Sequence, residues 1–334
     1  MSTSVGATAP LGIKNRCVAL ITRSYDRPIA YLSVLRGLAI LMVIAAHFTI
    51  VTNPYNKEIS VVLGNCGVIL FFFLSGFLMD QILARDSRFV AFAVRRTFRI
   101  LPMYWLSILV VFVSSTAWTL RDVAVNATFT APVLHLERML GVYWTLYIEV
   151  LFYALVPFVR YAGERAIVLA PYLLICVFCV IYGTFGSIND ASFYVLFCFA
   201  GMQIGAWSRG QITVAQLAIA IVAICVSASA LTGVGVYFGL APLLCTLIFM
   251  IGMRFSWSGR ALEMIGNVSY SWYLLHSLAG YWAVAGASSL GAPIWLATLF
   301  GVVFSLTISA ATFLLIELPA ITIGRFLTRR KFAC

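Results

Sequence analysis

Arg36 and His47 stand eleven positions apart inside one apolar stretch, Tyr31 to Thr52. At about 100° per residue, eleven steps come to roughly three turns, which puts guanidinium and imidazole on one helix face about 16 Å apart. Hydrocarbon makes ionisable side chains expensive, so each is a functional candidate by default, and two on one stripe point to a polar path partway through a bilayer. A neutral imidazole with an ordinary pKa of about 6.5 suits a general base acting on a hydroxyl. The alternative for His47 is helix packing through a hydrogen bond to a neighbour. Arg36 on the same stripe tips the reading toward chemistry.

Glu149 lies in the middle of Trp144 to Pro157, and counting inward from the outer end gives it a depth comparable with His47. A carboxylate there could hold the imidazole in one tautomer and stabilise its protonated form, or form a structural ion pair. Arg95, Arg96 and Arg99 precede Ile100, Leu101 and Pro102 at the mouth of another apolar run. Positions three or four apart share a helix face, so Arg99 with Arg96 or Arg95 can clamp one anion, and arginine forks suit phosphates. Topology alone also produces such clusters.

Ser75, in Phe71 to Phe77, reads first as a small packing residue, with a nucleophilic role as the other option. His276 closes the run Gly266 to His276, backed by Ser269, Tyr270, Ser271 and Tyr273, and is a second intramembrane histidine that can line the same cavity. Glu317, followed by Pro319, reads as a helix-end residue reaching for an interfacial arginine, and His135 beside Glu137 and Arg138 as a surface histidine. Cys176 and Cys179 have the spacing of a redox or metal pair, but no further ligand accompanies them, so they read as small buried hydrophobes and no metal is expected.

These residues need a scaffold that holds them inside a membrane. Of 334 residues, 63% are hydrophobic and 10% charged, far below the roughly 25% charged that keeps a soluble globule wet. The long apolar runs choose helices over a barrel. Ten segments are long enough to span: 31–52, 61–83, 100–119, 140–159, 166–184, 191–207, 211–232, 235–253, 262–284 and 292–316. With a cytoplasmic N-terminus, nineteen of the 22 Lys and Arg fall inside, leaving only Lys57, Arg121 and Arg138 outside. That split satisfies the positive-inside rule and predicts both termini in the cytoplasm. The net charge of +11 then reflects orientation and an anionic leaflet, with no nucleic-acid partner required. The longest outer loop is expected from about Leu120 to Met139, and no cleavable signal peptide is expected at the start.

The expected organisation is a cytoplasmic segment 1–30, a membrane core 31–319 and a basic cytoplasmic tail 320–334, in an all-α polytopic bundle of about ten transmembrane helices. Leu35-Arg-Gly-Leu-Ala39 with His47, Phe71-Phe-Phe-Leu-Ser-Gly-Phe77, Arg95-Arg-x-x-Arg99-Ile-x-Pro102, Trp144 to Pro157, Gly266 to His276 and Glu317-x-Pro319 occur in that order. The set resembles the acyltransferase family 3 membrane proteins, which include bacterial O-antigen and exopolysaccharide O-acetyltransferases. The resemblance implies a ten-helix core in the bacterial inner membrane that moves an acyl group, usually acetyl, from cytoplasmic acyl-CoA to a hydroxyl of a glycan or lipid-linked sugar. It implies His47 as the catalytic residue with Arg36 and Glu149, Arg96 and Arg99 engaging the donor beside Arg95, and Tyr153 in the same segment as Glu149. Larger relatives carry a soluble domain after the core. The chain is therefore expected to act as a core alone or with separate polysaccharide-assembly proteins. A secondary transporter or flippase-like protein would also bury Arg, His and Glu, but would typically show internal repeats, which this sequence lacks.

Overall fold

The computed structural model describes residues 30–52, 55, 57–86, 88–186, 190–232 and 236–330. Apart from Ala30, the expected segment 1–30, with Lys14, Arg16, Cys17, Arg23 and Arg27, lies outside the described residues, as do Lys331 to Cys334 of the tail.

Among the described residues the regular elements are helices: α1 (Ala30–Thr52), α2 (Lys57–Arg85), α3 (Phe89–Ser114), α4 (Leu120–Ala127), α5 (Tyr143–Tyr161), α6 (Glu164–Phe185), α7 (Asp190–Phe193), α8 (Val195–Ser208), α9 (Val214–Leu231), α10 (Val236–Arg254), α11 (Arg260–Ser289), α12 (Ile294–Thr312) and α13 (Leu318–Arg330). A π-helical turn, Phe313–Glu317, joins the last two. Seven stretches are long and apolar enough to cross a bilayer: α1, α2, α3, α6, Ala191–Ser208, α9 and Ile294–Thr328. The three other expected segments are helical too, as α5, α10 and α11. Tyrosines, Glu149 and Arg160 dilute α5, and a polar stripe from Asn267 through His276 dilutes α11.

Ionic contacts gather at one end of the bundle. Asp80, fully buried near the end of α2, takes Arg209 from the end of α8, and Arg209 also reaches Gln211. Arg160 and Glu164 pair across the α5–α6 junction at 2.7 Å. Between α2 and α3, Asp86 binds Arg88 at 2.8 Å and Arg95 at 3.1 Å. The hydrogen bond from Arg88 holds the Asp86 carboxyl well below the usual carboxylate range. This end is called the basic end below.

Two helix crossings fix the helices that carry Arg36 and Ser75. Side chains at Gly37 and Gly266 would run into the backbone carbonyls of Leu262 and Ser33, so α1 and α11 cross in backbone contact. Gly76 and Gly201 meet the carbonyls of Cys198 and Phe73 in the same way where α2 crosses α8. Without a strong hydrophobic drive between helices in lipid, such close packing supplies much of their association. Each crossing has a candidate site residue, Arg36 or Ser75, as the immediate neighbour of its glycine.

The expected outer loop folds back against the bundle. Tyr104 lies ten residues before the end of α3, about 15 Å along its axis, yet its hydroxyl donates to the Asn126 carbonyl at 2.8 Å and its ring stacks on Phe129. Asn126 is buried; its amide donates to the Asp122 and Glu137 carbonyls and accepts from the Met139 N–H at 3.2 Å. Thr119 and Asp122 start α4 with a reciprocal cap. The descent makes α5 begin at Tyr143 against Ser107, well below the end of α3. That offset decides where Glu149 falls.

Candidate active site

The continuous helix α1 keeps Arg36 and His47 on one stripe, and the stripe connects two cavities. The first, toward the basic end, is lined by Arg36, Ser75, Arg96, Arg99, Glu149 and Tyr153, with Ser269, Tyr270 and Tyr273 from α11. The second is lined by His47, Asn65, Trp144, Ser277, Tyr281 and Trp282, among others. Tyr273 and Val68 line both and form the wall between them.

In the first cavity Glu149 is the organising acceptor. Its Oε1 receives the Ser75 hydroxyl at 3.0 Å and the Tyr153 hydroxyl one turn along α5. The Arg96 guanidinium lies 5.3 Å from the centre of the Tyr153 ring and 5.8 Å from that of Phe92, close enough for cation–π attraction. Tyr270 donates to the Ile100 carbonyl at 2.7 Å, tying α11 to the helix of the arginines. The lining itself carries three arginines to the one carboxylate of Glu149.

The second cavity is lined by aliphatic side chains, aromatic rings and neutral polar groups. His47 Nδ1 lies 2.9 Å from the Val43 carbonyl one turn back; a carbonyl only accepts, so Nδ1 carries the proton and Nε2 the lone pair. The ring packs on His276 with centroids 4.8 Å apart. At the wall, the Thr145 hydroxyl donates to the Tyr273 hydroxyl at 2.8 Å.

The expected pairing of Glu149 with His47 is not formed. Tyr273 lies about one turn toward the basic end from His276, and Glu149 one turn further along α5 from Thr145. By helical rise Glu149 is therefore about 10 Å deeper than His47. Counting inward from the sequence failed because the folded-back loop lowers the start of α5. Arg95 also departs from expectation: it turns to Asp86 and the Ala91 carbonyl and does not line either cavity.

These cavities can be set beside known proteins. The family model for the acyltransferase domain of acyltransferase family 3 matches residues 29–314. The chain belongs to acyltransferase family 3. It is 31% identical over 296 residues to the exopolysaccharide production protein ExoZ of Rhizobium meliloti (strain 1021), covering 79% of this chain and 91% of that protein. It is also 31% identical over 198 residues to ORF330 of Acidianus two-tailed virus, named as an acetyltransferase, covering 57% of this chain and 58% of that protein. No solved structure matches. Family membership makes the bundle a membrane acyltransferase and sets aside the transporter and flippase readings.

Other side chains of this acyltransferase fall where the sequence did not put them. Glu317 is not an interfacial residue: it is buried on the π-helical turn and accepts the Ser271 hydroxyl at 2.6 Å. π-Turns recur at functional sites, and Glu317 is within electrostatic reach of Arg99 and Arg36. Cys176 and Cys179 are exposed on the surface of α6. His135 is exposed, as read from sequence. The buried Asp80, Thr145 at the wall and the aromatic lining of the second cavity were missed. Asp80 was findable, since it is a carboxylate inside the apolar run 61–83.

Proposed function

We propose that this acyltransferase moves an acyl group, by default acetyl, from cytoplasmic acyl-CoA to a hydroxyl of a cell-envelope or exported glycan. The supporting observation is the end-to-end arrangement of a cavity lined by three arginines and a cavity lined by His47 without Asp, Glu, Lys or Arg among the described residues, linked by the Arg36–His47 stripe. Nineteen of the 22 basic residues assigned to one side argue for a ten-span bundle with both termini cytoplasmic, in a bacterial inner membrane. The basic end then faces the pool of acyl-CoA. ExoZ, a protein named for exopolysaccharide production, supports a glycan acceptor.

In this reading Arg96 and Arg99 hold the donor's phosphates, and Arg36 adds charge in the same cavity. The thiol arm runs past Glu149, Ser75 and Tyr153 to the wall at Tyr273, bringing the thioester toward His47. Glu149 keeps the two hydroxyls and the Tyr153 ring in place beneath Arg96. The acceptor enters the second cavity from the other side. His47 Nε2 takes the proton of its hydroxyl, the oxygen attacks the carbonyl carbon, the C–S bond breaks, and the thiolate recovers a proton as free CoA. General-base catalysis of this kind contributes roughly 10²- to 10⁴-fold.

The test is transfer of labelled acetyl from acetyl-CoA to envelope glycan in membranes carrying wild type or His47→Ala. Wild type should label glycan and His47→Ala should not. Equal labelling by both removes His47 from the chemistry; no labelling by wild type removes acetyl-CoA or the glycan from the proposal.

A further inference from the structure

His47 and His276 make an arrangement that neutral imidazoles do not satisfy. His276 Nδ1 lies 2.8 Å from the Tyr273 carbonyl and 3.2 Å from that of Trp272, so it carries the proton, as Nδ1 of His47 does toward Val43. In the neutral form each ring thus leaves Nε2 as an acceptor, and the two rings pack edge to face between α1 and α11 with centroids 4.8 Å apart. His276 is fully buried, and its Nε2 has no hydrogen-bond partner among the described residues. A buried acceptor without a donor costs free energy. One added proton between two such nitrogens turns the mismatch into a charge-assisted hydrogen bond.

We infer that His276 is the partner that holds the proton His47 takes from the acceptor hydroxyl, the role that Glu149 is too deep to fill. The inference rests on the acyl-transfer reading above. As the acceptor O–H bond breaks and the O–C bond forms, the proton arrives on His47 Nε2, and the Nε2 lone pair of His276 shares it. When the C–S bond breaks, that proton passes to the leaving thiolate, and both imidazoles return to their neutral Nδ1–H form. No oxidant, metal or second substrate enters the balance. His276 packs on His47 without lining either cavity, contrary to the expectation from sequence, and the remaining lining of the second cavity leaves the charge to the pair. It holds no Asp, Glu, Lys or Arg among the described residues; Tyr273 and Tyr281 are its other titratable groups, both from α11, while α2 offers Asn65 and Ser60, and α5 offers Trp144.

The experiment compares wild type, His276→Phe and His276→Gln in nanodiscs. The readouts are thiol release from acetyl-CoA with octyl β-glucoside as a hydroxyl acceptor, and thermal unfolding as a check that each variant is folded. Phe keeps a ring and removes the acceptor; Gln restores an acceptor oxygen. His276→Phe should lower kcat about tenfold with KM for acetyl-CoA unchanged, and should move the acidic limb of the kcat profile about one pH unit lower, because the added proton has lost its second holder. His276→Gln should recover part of kcat and part of the shift. A folded His276→Phe enzyme whose acidic limb stays in place overturns the inference, since a structural role alone leaves it there. So does activity that is lost to EDTA and restored by zinc, because the two nitrogens would then be metal ligands. If His47→Ala retains full activity in the same assay, the base assignment fails, an outcome separate from any result at position 276.

Discussion

The cavity at the basic end collects Arg36, Arg96, Arg99 and Glu149 from α1, α3 and α5, whereas the far cavity has His47 and two tyrosines as its ionisable lining. The first is suited to an anion that arrives from water and must be held by charge. The second keeps Asp, Glu, Lys and Arg away from His47, as the proposed proton transfer requires. In the proposed reaction binding and chemistry therefore fall at different depths in the bundle, separated by one wall residue from α11 and one from α2. Substitutions on the two sides should therefore divide between KM and kcat.

The largest effect is expected at His47. His47→Ala should lower kcat by roughly 10²- to 10⁴-fold, the range for loss of a general base, with KM for acetyl-CoA nearly unchanged. A rise in KM of the same size as the fall in kcat would erase the division between the cavities, since the imidazole would then be holding donor. Arg99→Ala should do the reverse. Hydrogen bonds to charged groups contribute about 1.5–3 kcal/mol, so KM for acetyl-CoA should rise roughly 10- to 100-fold with a much smaller change in kcat, and the gap from wild type should narrow with added salt, which screens the contact the variant lacks. Arg95→Ala is the control. Its side chain is committed to Asp86, and titration with acetyl-CoA should show no more than a small change.

How much of this was visible in the chain depends on which distances had to be known. Arg36 and His47 belong to one unbroken helix, so their shared face followed from periodicity alone. The arginines of α3 and the Ser/Tyr/His stripe of α11 were legible for the same reason. Glu149 was set at the depth of His47, whereas the structure turns it to Ser75 and Tyr153. Its depth depends on where α5 starts, which is set by Asn126 and Phe129 packing beside Tyr104, contacts between residues with no pattern linking them in sequence. Ser75 lacked a base nearby in sequence; Glu149, 74 positions on, supplies the acceptor only after α2 and α5 are packed. Glu317 was misread because a π-turn rotates the end of a helix relative to the α-helical count.

The next test addresses the frame that holds the cationic side in register. At Gly76 a Cβ would meet the Cys198 carbonyl, and backbone cannot swing aside as a side chain can. Gly76→Ala should therefore cost about 1–3 kcal/mol, the usual penalty for overpacking a tight contact, and lower the unfolding temperature in detergent. Because Ser75 is the adjacent residue, the folded fraction should show a raised KM with kcat less affected. Full stability in this variant would mean that α2 and α8 can separate without loss, and the crossing would no longer explain how Ser75 and Glu149 are held together.

The smallest effect is expected at the wall itself. Tyr273→Phe keeps the ring between the cavities and removes the hydroxyl that accepts from Thr145. Thr145 retains a second acceptor in the Val142 carbonyl at 3.0 Å, so no buried donor is stranded. The loss should be near the ordinary worth of one hydrogen bond, about 1 kcal/mol, or roughly a fivefold fall in kcat. If the thioester crosses between the cavities at this point, that fall appears without a change in KM for acetyl-CoA, because the phosphates are held elsewhere. A folded Tyr273→Phe enzyme with wild-type kcat and KM would show that the Tyr273 hydroxyl takes no part in the passage. Opening the wall with Tyr273→Ala then decides the rest: faster loss of acetyl to water places the thioester at this boundary, while unchanged hydrolysis places its route through the bundle somewhere other than the Arg36–His47 stripe.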